Sequence, residues 1–278
     1  MSDIHLRMIP GNENMAIGPV YVRPPINEIA LSVSLATATL FDAYDVRSFH
    51  DLFRHEFPGH ERTDPIEGVD FEQYAGLTPL NADGRATRWW FTSADGADIL
   101  QVQQNFIARN WRRMVGIDDA PKYPGFTEVR GSFDKAVDQS RSWHRGQGRD
   151  MPKPRAVELM YDDVLPGLIE NEKFMLSSML NHLSSLGSRM ANWQNAWIES
   201  VTVPGAPDAT LSVQIVAAAA SVAGSSEPRP VVRIIWRAAM ETDSWSTVAA
   251  FFDASHAHIG RRFHEIVADK VKSNWSVL

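Results

Sequence analysis

The stretch RWWFTSADGADILQVQQNFIARNW, residues 88–111, constrains the fold more than any other part of the chain. Two alternating runs, 88–93 and 98–107, flank Asp95-Gly96. Asp-Gly between alternating runs predicts a β-hairpin, because a type I′ turn needs positive φ at both central residues. On the second run Leu100, Val102 and Phe106 are expected on one face, with Ile99, Gln101 and Gln103 on the other. A lone hairpin is marginal in water, so the chain must supply further strands and something to cover them.

The remaining sequence supplies both. Ile29, Leu31, Val33 and Leu35 alternate with small or polar residues and predict a strand over 26–36. A further strand is expected at 156–161. Three more, at 196–203, 210–221 and 230–240, are separated by Pro204-Gly205 and the polar SSEPRP stretch, which predicts an antiparallel meander. Val46, Phe49, Leu52, Phe53 and Phe57 recur at helical spacing over 45–57, and Pro58-Gly59 stops the run. Helices are also expected over 126–143, with Phe126, Val129, Phe133 and Val137 on one stripe, around Phe174 to Leu183, and over 246–272. Residues 58–84 have little periodicity and read as a loop.

The expected fold class is therefore α+β: an antiparallel sheet built from two halves, βαββαβ then αβββα, with helices packed on one face. The order of the first half is that of a ferredoxin-like split βαβ unit. The corresponding division is a flexible lead-in over 1–18, an N-terminal half over 19–163 and a C-terminal half over 164–278.

Composition narrows the chemistry. The chain has 278 residues and no cysteine, which removes thiol nucleophiles, zinc ribbons, Fe–S clusters and disulfides. Its 27 Lys and Arg against 34 Asp and Glu leave a net charge of -7, which opposes broad binding to nucleic acid or anionic lipid. No apolar core of a signal peptide is visible near the start, and the longest weakly polar stretch, 211–224, is too short to span a membrane. A cytoplasmic location without membrane association is expected.

Nine tryptophans are the most unusual compositional feature. Most are expected to pack in the core or at element ends, since one indole contributes a large buried area and needs one partner for its N–H. Trp89 and Trp90 cannot both do so, because neighbours on a strand point to opposite faces. The one facing away from Leu100 must find a helix, a partner or a ligand. With Gln101, Gln103, Arg109, Asn110, Trp111, Arg112 and Arg113 close in sequence, these tryptophans form a candidate interaction surface of aromatic, amide and guanidinium groups. On the last helix Asp253, His256 and His264 share a face and are a candidate metal set, although no HExxH or comparable ligand spacing accompanies them. The basic run 141–155 reads as a solvated loop. Gly146-Gln147-Gly148 lacks the strand and helix context of a nucleotide-binding fingerprint. No nucleophile elbow, phosphate loop or other catalytic motif is present.

Several segments together resemble a sporadically distributed, uncharacterised bacterial and archaeal family: PPINEI from Pro24, RWWF from Arg88, DGADILQVQQNFIARNWR from Asp95, YPGF from Tyr123, ELMYDD from Glu158 and DASHAHIGRRF from Asp253. The family's closing His-x-x-Ile-x-x-x-Phe and terminal Trp correspond here to His256, Ile259, Phe263 and Trp275. The resemblance implies no particular activity, cofactor or catalytic residue. The family's scattered occurrence implies a mobile-element or defence setting.

From these readings the expected function is a non-enzymatic binding or accessory protein acting through a protein interface, with a protein partner or a second copy of the chain, no cofactor and no nucleic acid. Two alternatives stand beside it. One is a small-molecule binder whose sheet grips the last helix around a cavity lined by Trp236, Ile215 and Phe263. The other is a metal-dependent or acid–base enzyme centred on His256, His264 and a carboxylate.

Overall fold

A computed structural model describes residues 21, 24–36, 43–64, 88–113, 122–165, 169–170, 173–174, 193–202, 209–218, 229–240 and 244–272. The first half of the chain supplies β1 (Ile26–Leu35), α1 (Ala43–Phe53), β2 (Gly59–Thr63), β3 (Arg88–Thr92), β4 (Asp98–Gln103), β5 (Phe106–Arg112), α2 (Phe126–Gly146) and β6 (Pro154–Val164). The second supplies the short pair β7 (Ile169–Glu170) and β8 (Lys173–Phe174), then β9 (Trp193–Val201), β10 (Ala209–Ala218), β11 (Arg229–Ala239), α3 (Trp245–Ile266) and α4 (Asp269–Lys272). The fold is mixed α+β, dominated by a nine-stranded antiparallel sheet in the order β2-β3-β4-β5-β1-β6-β11-β10-β9. Strands of both halves share it, because β6 pairs with β11. No described helix is long and apolar enough to cross a membrane.

Register sorts the side chains into two faces. One cross-strand row runs His60, Phe91, Leu100, Arg109, Leu31, Leu159, Trp236, Leu211, Glu199, apolar except at its ends and at Arg109. The adjacent row, displaced by one residue and so pointing the other way, runs Glu61, Trp90, Gln101, Ala108, Ser32, Glu158, Arg237, Thr210, Ser200. Contacts of the helices fall on the first face. From α1, Phe49 meets Phe91; from α2, Ser132 accepts from Arg109; from α3, His256 meets Tyr161 and Phe251 meets Trp236. The core therefore lies between this face and the helices, with Leu31, Leu159, Trp236, Phe133 and Phe252 buried in it.

Several sequence expectations change in the structure. Residues 59–63 form the edge strand β2 where the sequence predicts a loop, since GHERT has no apolar alternation and its strand character comes from pairing with β3. Gly59 is required there because a Cβ would collide with the Thr92 side chain. The run 98–107 is broken by a turn at Gln104 and Asn105, so Phe106 pairs with Gln103 and joins the polar face instead of the Leu100 face. Asp95-Gly96 does turn the chain, but as part of a longer loop: Gly96 N–H donates to the Ser93 carbonyl at 3.0 Å, which puts Gly96 last in the turn, with φ 72°. The Asp95 carboxylate sets this geometry by accepting from the Ser93 hydroxyl at 2.6 Å and from Ala97 N–H at 3.0 Å. With β2 and a separate β5, the first half reads β-α-β-β-β-β-α-β rather than βαββαβ. The last helix stops at Ile266, and Val267 is extended before the short α4. Of the helix expected near Phe174 only the start is described, and there Phe174 pairs with Ile169 as a strand. Residues 175–192, the lead-in 1–18, and Trp275 lie outside the described residues.

Candidate functional site

On the face turned away from the helices, polar side chains bond to one another across β3, β4, β5 and β1 among the buried Ile99, Phe106 and Ala108. Arg88 Nη1–H and Trp90 Nε1–H both donate to Gln101 Oε1 at 3.1 Å. Gln101 Nε2–H donates to Asn110 Oδ1 at 2.8 Å, and Asn110 Nδ2–H donates to Glu28 Oε1 at 2.6 Å. The direction of this relay is dictated by its ends. A carboxylate only accepts, so Asn110 turns its NH2 to Glu28; an indole and a guanidinium only donate, so Gln101 turns its oxygen to Trp90 and Arg88. Gln101 and Asn110 are buried, whereas Arg88, Trp90 and Glu28 are half-buried. Burial raises the Glu28 pKa, with neighbouring Asp162 adding to the rise and the Asn110 hydrogen bond opposing it.

Two cations flank the Trp90 indole. The Arg88 guanidinium lies 5.3 Å from its ring centroid and that of Arg112 5.8 Å. Arg88 is two residues before Trp90 on β3, and Arg112 stands two strands away toward the other end of the indole's position, so the ring lies between them along the strand direction. Arg88 Nε–H donates to Thr63 Oγ1 at 2.8 Å and Arg112 Nε–H to the Gly96 carbonyl at 3.1 Å. Farther along the same face the arginines are neutralised: Arg233 grips Asp162 with two bonds of 2.6 Å, and Arg237 puts two nitrogens on one Glu158 oxygen.

The sheet thus divides the sequence candidates. Trp90, Gln101, Gln103 and Arg112 belong to the polar face; Trp89, Arg109 and Trp111 belong to the helix face. Trp90 is the indole that faces away from Leu100, and it finds the polar groups of its own sheet and stays half-exposed. Gln103 is buried and donates to Asn105 at 3.2 Å. Trp89 packs against the core, and Trp111 is buried edge-on to Tyr123. Arg109 is buried at 5% exposure, bonded to Ser132, paired with Asp98 at 3.0 Å and stacked on Phe57, so it clamps α2 to the sheet. Glu28 and Arg88 were missed as site residues by sequence reasoning. The available signal was their parity: each falls on the polar side of its strand's alternation.

On the helix face the metal candidates do not converge. Asp253 is exposed and paired with Arg130 at 3.2 Å. His256 Nδ1 shares a 2.9 Å hydrogen bond with the Tyr161 hydroxyl, and its ring stacks on Phe126 at 3.9 Å. His264 Nδ1 shares a 2.7 Å bond with the Tyr21 hydroxyl. Among the described residues no group of three or more His, Asp or Glu is placed to hold a metal ion. The arrangement is two separate His–Tyr pairs, His256 with Tyr161 and His264 with Tyr21. Burial lowers the His256 pKa to about 4 and raises those of Tyr161, Tyr123 and Asp163. Asp163 lies beside Asp162, which pushes its carboxyl further up.

The remaining candidates find local partners. In the basic run, Arg141 pairs with Asp138, Arg149 with Asp45, and His144 is buried against the Ser140 carbonyl. Trp236, Ile215 and Phe263 are all buried within the common core cluster, where Trp236 meets the His258 ring edge-on at 4.4 Å. A scan against protein-family models finds no match, and searches of curated proteins and of solved structures find none either.

Proposed function

We propose that this chain is a non-enzymatic binding protein that engages a protein partner through the polar face of its sheet, with Trp90 at the centre of the contact. The observation that carries the reading is the Arg88–Trp90 pair held on the Gln101–Asn110–Glu28 relay, with Arg112 fixed on the Gly96 carbonyl and lying over the same indole. Trp and Arg are the side chains that dominate binding hot spots, because each combines a large contact area with directional donors. The relay holds Arg88 and Trp90, and the Gly96 carbonyl holds Arg112, before any partner arrives, which lowers the ordering cost of association. The helices occupy the opposite face, and on this one Arg88, Trp90 and Arg112 keep partial exposure beside the buried Gln101 and Asn110. The family resemblance adds a setting, a mobile-element or anti-phage defence system in which the chain is an accessory component, and its segments PPINEI, RWWF and NWR supply Glu28, Arg88, Trp90, Asn110 and Arg112.

Photocrosslinking in the native host tests the reading. A benzophenone side chain placed at Thr92, beside Trp90 on the same face, should give an adduct with one defined protein or with a second copy of the chain. The same group at Lys135, exposed on α2, should not, and Trp90→Ala should abolish the Thr92 adduct. An adduct pattern indifferent to Trp90→Ala overturns the proposal.

A further inference from the structure

We infer that β9 is the contact through which two copies of this chain pair, edge strand against edge strand, in antiparallel register. The two ends of the sheet carry the inference by their difference. β2 closes one end with five residues, of which His60, Glu61 and Arg62 are ionisable. A short, charged edge of this kind resists a further strand. β9 closes the other end with nine residues, Trp193–Val201, and Glu199 is its only ionisable residue. That carboxylate is already engaged within the chain, accepting from Trp197 Nε1–H at 2.7 Å and from Arg262. β9 pairs with β10 without a bulge and contains no proline, so neither a kink nor a missing donor interrupts it. The strand also meets solvent. Ala196, Ile198 and Ser200 share the outer face and are all exposed, and Ile198 at 54% is the most exposed large apolar side chain among the described residues.

Symmetry and charge select a second copy as the occupant. A two-fold axis normal to the sheet sets an edge against itself in antiparallel order, the order that each strand pair of this sheet already has. The register that uses all nine residues is centred on Trp197. It sets Ile198 opposite Ala196 of the second copy, which takes the exposed side chain out of water, and Glu199 opposite Asn195, so the two carboxylates do not meet. A chain of net charge -7 repels its own copies over most approaches, and an edge whose one charge is already engaged is where that repulsion is small. One strand from each chain buries less than the ~1,200–2,000 Å² of a standard interface, so the pairing is reversible and follows concentration. β3, which carries Trp90, lies toward the other end of the sheet, so this contact is independent of the Trp90 surface.

Sedimentation velocity of the full chain from ~1 to ~100 μM, with hydrogen exchange at both ends of that range, tests the inference. Sedimentation should move toward the mass of two chains as concentration rises. In a single chain alternate amides of β9 are bonded to β10 and the others face outward. Pairing should slow exchange of the outward set at high concentration while the amides of β2 stay unchanged. Ile198→Lys brings the cations of two facing edges within diagonal reach and should weaken association at least ~10-fold, with the melting temperature at low concentration retained. Trp90→Ala should leave association unchanged. The inference is overturned if the chain sediments as one copy throughout, if it associates while the outward β9 amides exchange as they do at ~1 μM, or if Ile198→Lys associates as tightly as the wild type. Association that Trp90→Ala abolishes belongs to the Trp90 surface and also removes the β9 assignment.

Discussion

Asn110 is the middle link of the polar relay, and replacing it by Ala removes two hydrogen bonds while leaving both former partners in place. Glu28 loses a donor at 2.6 Å and Gln101 loses an acceptor at 2.8 Å. A hydrogen bond to a charged group contributes about 1.5–3 kcal/mol and a neutral one about 0.5–1.5 kcal/mol. Glu28 is half-buried, so solvent compensates part of its loss and the charged bond belongs at the low end of its range. The expected destabilisation is about 2–3 kcal/mol, read as a lower urea midpoint at unchanged m-value. The loss should also depend on pH. The donor supports the charged form of Glu28 against burial and Asp162, so its absence costs more at pH 8, where the carboxylate is ionised, than at pH 5, closer to its raised pKa. Asn110→Asp should be worse still at pH 8, because it sets a second carboxylate against Glu28. A loss below about 1 kcal/mol for Asn110→Ala, or an equal loss at pH 5 and pH 8, would refute the relay as a unit of stability.

Three further outcomes are expected. His256 is neutral in the fold with a pKa of about 4 against 6.5 unfolded, so it contributes stability that is fully present above pH 6.5 and lost as pH falls toward 4; His256→Ala should flatten that part of the stability curve while costing about 1–3 kcal/mol at pH 7 through the orphaned Tyr161 hydroxyl, both measurable by urea titration. Asp163 has the opposite sign: burial raises its pKa, so its contribution is present below pH 3.8 and is lost as pH rises, at up to about 1.4 kcal/mol for each step of one in pH, and Asp163→Asn should therefore raise the melting temperature at neutral pH. Because Asp253, His256 and His264 each hold a separate partner, dialysis against a chelator should leave the melting temperature unchanged, and a drop restored by zinc would reinstate the metal reading.

The local alternation of apolar and polar residues determined most of the strands and the helical stripes. Ile29, Leu31 and Val33 identify β1 because every second residue of a strand meets the same face, and Val129, Phe133 and Val137 identify α2 because turns of 3.6 residues return them to one side. The same parity already assigned Trp89 and Trp90 to opposite faces and Gln101 away from Leu100. Partner choice lay beyond it. That GHERT is an edge strand, that β6 joins the two parts of the chain, and that Glu28 comes within hydrogen-bond reach of Asn110, 82 positions away, depend on which strands become neighbours. Strand order is set by the burial of the whole helix face at once, a sum over distant contacts that no local window of residues contains. For the same reason the histidines of α3, which share a face when read along the helix alone, part company in the fold: Tyr161 reaches one from the middle of the sheet and Tyr21 the other from before β1.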